Sequence, residues 1–154
     1  MNTDRSLFED RVELLLADRG HPSVDSEGFR GMDLHQKRMA ALFILENEVQ
    51  HGGFARAYFN QTTELGVFAA DGYDAIGAPE HARVVRQSIE AAKKSEESSK
   101  ASGSTMMTLS EEHIRSGYAA VDAAWAVLSR VDTSSQKYKY MKQHARSFGI
   151  VQSA

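Results

Sequence analysis

The residues best suited to metal chemistry are Glu48 and His51, which stand three positions apart in the string EVQH. On a helix this spacing places both side chains on one face, where a carboxylate and an imidazole can share a metal ion. A di-iron carboxylate bundle needs two such pairs and two further glutamates, whereas this sequence contains one pair. A metal-dependent enzyme or ligand sensor built on this pair is therefore an alternative hypothesis. The simpler interpretation is a histidine that interacts with the C-terminal end of a helix dipole.

Other catalytic signatures are missing from the sequence. It has no Gly-x-Ser-x-Gly nucleophile motif, no glycine-rich phosphate loop and no His-Glu-x-x-His zinc motif. The lack of cysteine excludes disulfides, thiolate metal sites and cysteine nucleophiles. We therefore expect that the protein is not an enzyme and that it binds no metal or other cofactor.

The composition is typical of a globular domain. The chain has 154 residues, of which 42% are hydrophobic and 25% charged, with a formal net charge of -3. This length suffices for one core, so we predict a single domain over residues 1–154. No apolar run reaches the roughly 18 residues needed to span a bilayer, and the N-terminus lacks the pattern of a secretion signal. We expect a cytoplasmic protein with no membrane partner.

The charges are concentrated at the two ends of the chain. A partial acidic row is predicted on the first helix, although Arg5, Arg11 and Arg19 interrupt it; its members are Asp4, Glu9, Asp10, Glu13 and Asp18. Near the other end, the spacing of Lys139, Lys142 and Arg146 predicts a basic stripe that could contact phosphates. Because three bases would neutralise only a few phosphates, nucleic-acid binding is a less favoured alternative. The acidic and basic ends could also pair with each other.

Apolar residues recur at helical spacing along the chain, and no segment alternates long enough to predict a sheet. We predict an all-α fold, a compact bundle of about six to seven helices. The first helix should begin near Ser6, end at Gly20 and bury Phe8, Val12, Leu15 and Leu16. Asp33 should cap the second, which the Gly52-Gly53 pair should end after His51. A further helix should close at Gly77, and the next should begin at Pro79.

The serine-rich segment 95–107 is predicted to be a solvated linker or the frayed end of the preceding helix, because it has few large apolar residues. C-terminal helices should follow over residues 109–148. The first of them should start at a cap formed by Thr108 to Glu111 and should bury a stripe of apolar side chains: Ile114, Tyr118, Val121, Trp125 and Leu128. The last should run from Tyr138 to Phe148 and end at Gly149.

Two blocks of the sequence match a known pattern. Residues 45–60 read LENEVQHGGFARAYFN, and residues 73–79 read YDAIGAP. In this order and separation they resemble the signature of the DNA-mimic-protein-like domain family, which comprises largely uncharacterised bacterial helical proteins. The resemblance covers roughly residues 34–92. It implies an all-α fold and, for the member that names the family, a non-catalytic dimer whose surface carboxylates imitate DNA phosphates and occupy a transcription regulator.

The signature residues have two interpretations. In the structural one, the glycine pair reverses the chain, Phe54 and Phe59 fill the core behind the turn, and Asn60 caps or ties the following loop. In the functional one, a groove for a partner or small ligand is lined by Glu48, His51, Gly53, Tyr58 and Asn60. Our leading hypothesis is a non-enzymatic protein-interaction module that binds a regulator, toxin or defence component through its surface and that could form a homodimer.

Overall fold

The computed structural model describes residues 3–101 and 111–151 of the chain. Within these ranges it contains seven α-helices and one short 3-10 helix, and no strand. The helices are α1 (Thr3–Asp18), α2 (Glu27–Arg30), α3 (Leu34–Gln61), α4 (Thr63–Ala75), α5 (Pro79–Ala101), α6 (Glu111–Leu128) and α7 (Ser134–Gln143), followed by the 3-10 helix Ala145–Phe148. The predicted all-α fold is confirmed. None of the described helices is both long and apolar enough to cross a membrane.

Helix α3 lies at the centre of the bundle. It packs against α1, α4 and α6, while α5 covers α4 and α6, and α7 packs against α1. Met39, Leu42 and Leu45 are fully buried before the break in α3, and Phe54 and Ala57 are fully buried after it. Both halves of α3 therefore contribute to one hydrophobic core. The prediction that Phe59 also fills this core is wrong, because Phe59 is 70% exposed.

The helix ends follow the local signals in the sequence. Asp33 accepts the backbone N–H of Gln36, whose side chain accepts the N–H of Asp33, so the predicted cap of α3 is present as a reciprocal box. Helix α1 begins at Thr3, earlier than predicted, and Gly20 follows its end with φ +77°. Phe8, Val12 and Leu16 are buried and Leu15 is partly buried, as predicted. Helix α5 begins at Pro79, which is also as predicted.

The glycine pair breaks α3 without ending its contribution to the core. Gly52 has φ -172° and ψ 19°, and Gly53 has φ 73° and ψ -176°. The combination at Gly53 is accessible almost only to glycine, because a Cβ atom would clash with the backbone. The chain therefore changes direction after His51, as predicted, and becomes helical again from Phe54 to Gln61.

The predicted linker at residues 95–107 is wrong over its first part, because α5 continues to Ala101. Ion pairs between neighbouring turns, Glu90 with Lys93 and Glu96 with Lys100, stabilise this exposed end of the helix. Residues 102–107 lie outside the described residues, as do residues 108–110 of the predicted cap.

The C-terminal helices bury most of the predicted side chains. Tyr118, Val121 and Trp125 of α6 are buried, Leu128 is partly buried, and the side chain of Ile114 lies outside the described part. The predicted continuous final helix is wrong, because His144 adopts φ -118° and ψ 43° and separates α7 from the 3-10 helix. Gly149 ends that 3-10 helix with φ 61°.

Candidate functional site

The predicted groove is only partly assembled. Asn60 Nδ2 donates to Glu48 Oε2 at 2.9 Å, and Arg56 Nε lies 3.7 Å from the same oxygen. These contacts join Glu48, which lies before the break in α3, to Arg56 and Asn60, which lie after it. Tyr58 points into the protein instead, where its hydroxyl lies 2.5 Å from Ser88 Oγ. Burial raises the pKa of Tyr58, so its hydroxyl stays protonated.

Glu48 and His51, the predicted metal-binding pair, contact other groups in the structure and not each other. His51 Nδ1 lies 2.6 Å from the carbonyl oxygen of Asn47, one turn earlier on the same helix. The carboxylate of Glu48 is engaged by Asn60 and Arg56. Among the described residues, no group of three or more histidine, aspartate or glutamate side chains could hold a metal ion. The geometry favours the interpretation of His51 as a histidine at a helix end.

A cavity of about 950 Å³ opens between α1, α3, α6 and α7, next to the start of α5. Of the predicted groove, Gly53 alone contributes to its wall. The wall combines aromatic side chains with charged groups of both signs: Phe8, Phe43, Tyr73, Trp125, Arg5, Glu9, Glu46, Asp122, Arg130, Asp132 and Lys137. This volume falls in the range of pockets that bind small molecules, about 300–1,000 Å³.

One wall of the cavity contains an ion pair between a buried lysine and a partly exposed glutamate. Lys137 Nζ lies 2.5 Å from Glu46 Oε1, and the lysine side chain is only 6% exposed. Tyr73 donates its hydroxyl to the same oxygen at 2.6 Å, and the ammonium also lies 4.9 Å from the ring centre of Phe8. Burial and the nearby Glu46 carboxylate raise the pKa of Tyr73, which keeps it a donor. The two donors share Oε1, and no described residue donates a hydrogen bond to Oε2.

An aromatic cluster lies beside this ion pair. The imidazole of His81 stacks on Tyr73 with ring centres 5.1 Å apart, and Trp125 contacts both rings edge-on. Burial lowers the pKa of His81, although a hydrogen bond to the backbone of Leu128 and the Glu46 carboxylate act in the opposite direction. The cluster therefore provides a neutral, rigid surface.

Asp122 on α6 faces the break in α3. Its Oδ1 atom accepts the backbone N–H of Phe54 at 3.0 Å, and a Cβ atom on Gly53 would lie 2.8 Å from its Oδ2 atom. Burial raises the pKa of this carboxyl group, while the hydrogen bond from Phe54 partly opposes the shift. No described residue donates a hydrogen bond to Oδ2.

The predicted acidic row on α1 is divided between two faces. Glu9 forms an ion pair with Arg5 at 2.9 Å, and Asp4 accepts a hydrogen bond from Ser135 on α7. Asp10, Glu13 and Asp18 are exposed on the outer face, which also contains Leu14 at 64% exposure. We call these four residues the α1 outer face.

The arginines that interrupt the acidic row in sequence contact groups other than the three outer carboxylates. Arg5 pairs with Glu9, Arg11 donates to the carbonyl oxygen of Gly149 at 3.3 Å, and Arg19 donates to that of Gly31 at 3.4 Å. Each arginine therefore binds a group at the edge of α1 or on a neighbouring segment. None of these three contacts involves Asp10, Glu13 or Asp18.

The basic stripe is exposed but not continuous along one helix. Lys139 and Lys142 lie on α7, and Lys142 Nζ is 4.8 Å from the ring centre of Tyr138. Arg146 lies beyond the break at His144, on the 3-10 helix. Helix α1 packs on α7, where Ser135 donates to Asp4, and Arg11 donates to the carbonyl oxygen of Gly149. Neither contact pairs an acid of the predicted row with a base of the predicted stripe.

Two histidines stack where α3 meets the end of α7. The rings of His35 and His144 lie 3.6 Å apart and are tilted by 16°. His35 Nδ1 is 2.6 Å from the hydroxyl of Tyr140, and Arg38 donates a hydrogen bond to the same hydroxyl. Burial lowers the pKa of His144, and the neighbouring His35 and Arg38 lower it further.

The comparison with protein families gives one match. The model of the family described as DMP19-like protein matches residues 30–144, which is more than half of the chain. The chain belongs to the DMP19-like protein family. No curated protein and no solved structure matches it significantly.

Membership of the DMP19-like family confirms the resemblance drawn from residues 34–92 and extends it to residue 144. The matched range includes Glu46, Asp122 and Lys137, whereas α1 precedes it. Sequence analysis did not select these three residues as a site, because they lie far apart in the chain. A possible signal was Asp122, since it lies three residues before Trp125 and therefore on the same side of a predicted helix.

Proposed function

We propose that this member of the DMP19-like family is a non-enzymatic binding module that docks a basic protein surface onto the α1 outer face. The observation that supports this proposal is the separation of charges on α1. Asp10, Glu13 and Asp18 are exposed, while the arginines of the same helix bind other groups. A surface of one sign attracts a partner of the opposite sign and accelerates its association.

The exposed side chain of Leu14 lies among these carboxylates. An apolar residue surrounded by charged ones is a common arrangement in protein interfaces, where the apolar contact is surrounded by a polar rim. The partner is therefore expected to offer lysines or arginines around a small apolar depression. A regulator, toxin or defence component that binds nucleic acid would have such a basic surface.

Charge density separates this surface from a close imitation of DNA. Asp10 and Asp18 are eight residues apart, or about 12 Å along a helix. Duplex DNA carries one charge per roughly 1.7 Å of its axis, or about seven over the same distance. Three carboxylates provide less than half of that charge, so the apolar contact at Leu14 must contribute to selectivity.

The test compares two variants that remove equal numbers of exposed helical carboxylates. Asp10→Asn/Glu13→Gln/Asp18→Asn changes the α1 outer face. The control, Glu80→Gln/Glu90→Gln/Glu96→Gln, changes α5, where each acid is paired with a base. Both proteins are used at moderate salt to capture partners from an extract of the native cell, and the captured protein is then purified and titrated directly.

We expect the wild type and the α5 variant to bind the purified partner, and the α1 variant to bind at least tenfold more weakly. Equal binding by all three proteins would refute the assignment of the α1 outer face. Turnover of a substrate without any captured partner would refute the binding function as a whole. Light scattering on the same samples reports whether the functional unit is a monomer or the homodimer that we expect from the family.

A further inference from the structure

The cavity between α1, α3, α6 and α7 contains charged and aromatic groups that have no part in partner binding by the α1 outer face. Its positive groups are largely engaged already, since Lys137 pairs with Glu46 and Arg5 pairs with Glu9. Two of its carboxylates each retain an oxygen that accepts no hydrogen bond from a described residue, Oε2 of Glu46 and Oδ2 of Asp122. These two negatively charged oxygen atoms can therefore accept hydrogen bonds from a ligand.

The remaining polar groups of the wall do not reverse this balance. Asp132, which accepts the backbone N–H of Ser134 at 2.9 Å, adds a carboxylate, and Arg130 adds a base. The wall therefore has four acids, Glu9, Glu46, Asp122 and Asp132, against three bases, Arg5, Arg130 and Lys137. The carboxylates of Glu46 and Asp122 would repel a bound anion and attract a bound cation.

An aromatic surface accompanies the two carboxylates. Trp125 lines the cavity, and its ring is held by Phe54, Tyr73 and His81, all with ring centres within 6 Å of the indole. Cations bind favourably against the electron-rich face of an aromatic ring, and tryptophan is the strongest of these partners.

We propose that the cavity binds a small organic cation, an amine or a guanidinium compound, with the carboxylates of Glu46 and Asp122 as acceptors and the indole of Trp125 as its aromatic contact. Attraction between the positive charge of the ligand and the two carboxylates would give the site its selectivity, because a neutral molecule of the same length brings no charge and an anionic one is repelled. The site is separate from the α1 outer face and binds its ligand independently of the protein partner.

The chain provides its own reporter for this binding, because Trp125 is its single tryptophan. Intrinsic fluorescence is titrated with agmatine, which contains both an ammonium and a guanidinium group. Pentane-1,5-diol and glutarate, neutral and anionic compounds of comparable length, are the ligand controls. We expect saturable change with agmatine, and at least tenfold weaker effects with the other two compounds.

Asp122→Asn is the informative variant. The carbonyl oxygen of asparagine can still accept the N–H of Phe54, so the variant removes the charge while the contact with the restarted helix is preserved. The matched control is Glu13→Gln, which removes a carboxylate from the α1 outer face. We expect agmatine to bind Asp122→Asn at least tenfold more weakly than the wild type, and Glu13→Gln within twofold of it.

Three results would overturn the proposal: no saturable response of the wild type to millimolar agmatine, an equal response to the diol or to glutarate, or unchanged affinity in folded Asp122→Asn. If Asp122→Asn does not fold, the ligand series on the wild type still decides the question. Loss of partner binding in the α1 variant with intact agmatine binding would show that the two sites are independent.

Discussion

The carboxylate of Asp122 accepts the backbone N–H of Phe54, so a residue of α6 caps the helical segment that restarts after the break in α3. The first amides of a helix lack partners within the helix, and an aspartate oxygen is a favoured acceptor for them. The cap reaches across 68 positions of sequence. It fixes the direction of the restarted segment relative to α6.

Substitution of Gly53 should test this arrangement. In Gly53→Ala the new Cβ would lie 2.8 Å from Asp122 Oδ2, at a backbone conformation that only glycine adopts readily. We expect the free energy of unfolding in urea to fall by about 1–3 kcal/mol. Gly117→Ala is the control, because within the described residues no atom outside its own helix turn lies within 4 Å of the added Cβ; alanine there should raise stability by about 0.5–1 kcal/mol. Equal effects of the two changes would contradict the special role of Gly53.

Removal of the charge on Glu46 should destabilise the protein. Glu46→Gln leaves the ammonium of Lys137, which is almost fully buried, without its counter-charge. We expect a loss of about 3 kcal/mol in the free energy of unfolding. The double variant Glu46→Gln/Lys137→Met should recover much of this loss, because it removes the isolated charge.

The exposed pair between Glu90 and Lys93 provides the comparison for this prediction. Both side chains are more than 60% exposed, so Glu90→Gln should change the free energy of unfolding by less than about 0.5 kcal/mol. A loss in Glu46→Gln no larger than that in Glu90→Gln would mean that the pair between Glu46 and Lys137 does not contribute to stability.

The stacked histidines should make stability depend on pH. The pKa of His144 is lowered in the folded protein, chiefly by burial, so the unfolded state binds its proton more readily. Stability from this group is therefore complete above the unfolded pKa of about 6.5 and falls as pH decreases from there toward the lower folded value. Burial of His81 acts in the same direction.

The measurement is a series of urea denaturations between pH 7.5 and 5. His144→Phe retains an aromatic ring against His35 but cannot be protonated, so it should lose less stability over this interval than the wild type. His51→Gln removes an exposed histidine from α3 and is the control. Parallel curves for the wild type and His144→Phe would exclude a contribution from the stack.

The basic stripe should give little affinity for DNA. Lys139, Lys142 and Arg146 can neutralise about three phosphates, which corresponds to a slope of about -2.7 in log K against log salt. We expect elution from a DNA column below about 0.15 M salt. Charge reversal of all three residues to glutamate should leave partner capture unchanged. Retention of the wild type at higher salt, lost in this variant, would favour the nucleic-acid hypothesis instead.

The parts of the fold that depend on near neighbours were predictable. Asp33 and Gln36 form their box within one turn, and the glycine pair breaks α3 at the expected position. The end of α5 was predicted incorrectly because serine content suggested a linker, whereas ion pairs such as Glu96 with Lys100 stabilise an exposed helix.

The candidate sites depend on contacts between distant segments. Lys137 belongs by sequence to a basic end of the chain, but its ammonium is buried against Glu46, 91 positions away. The orientation of Arg11 is likewise decided by the carbonyl of Gly149. Periodicity places these side chains on helix faces, but it does not show which helix packs against each face.

The break at Gly52 and Gly53 also determines whether the last turns of α3 pack against the core of their own chain or against that of a second copy. If α3 continued straight, the segment from Phe54 to Gln61 would leave its own core, and its buried face could fill the corresponding space in a second copy. Exchange of that segment between two chains would produce an interlocked, domain-swapped pair. The two glycines thus allow the segment from Phe54 to Gln61 to pack within its own chain. Substitutions that straighten the break are expected to favour domain swapping at high protein concentration.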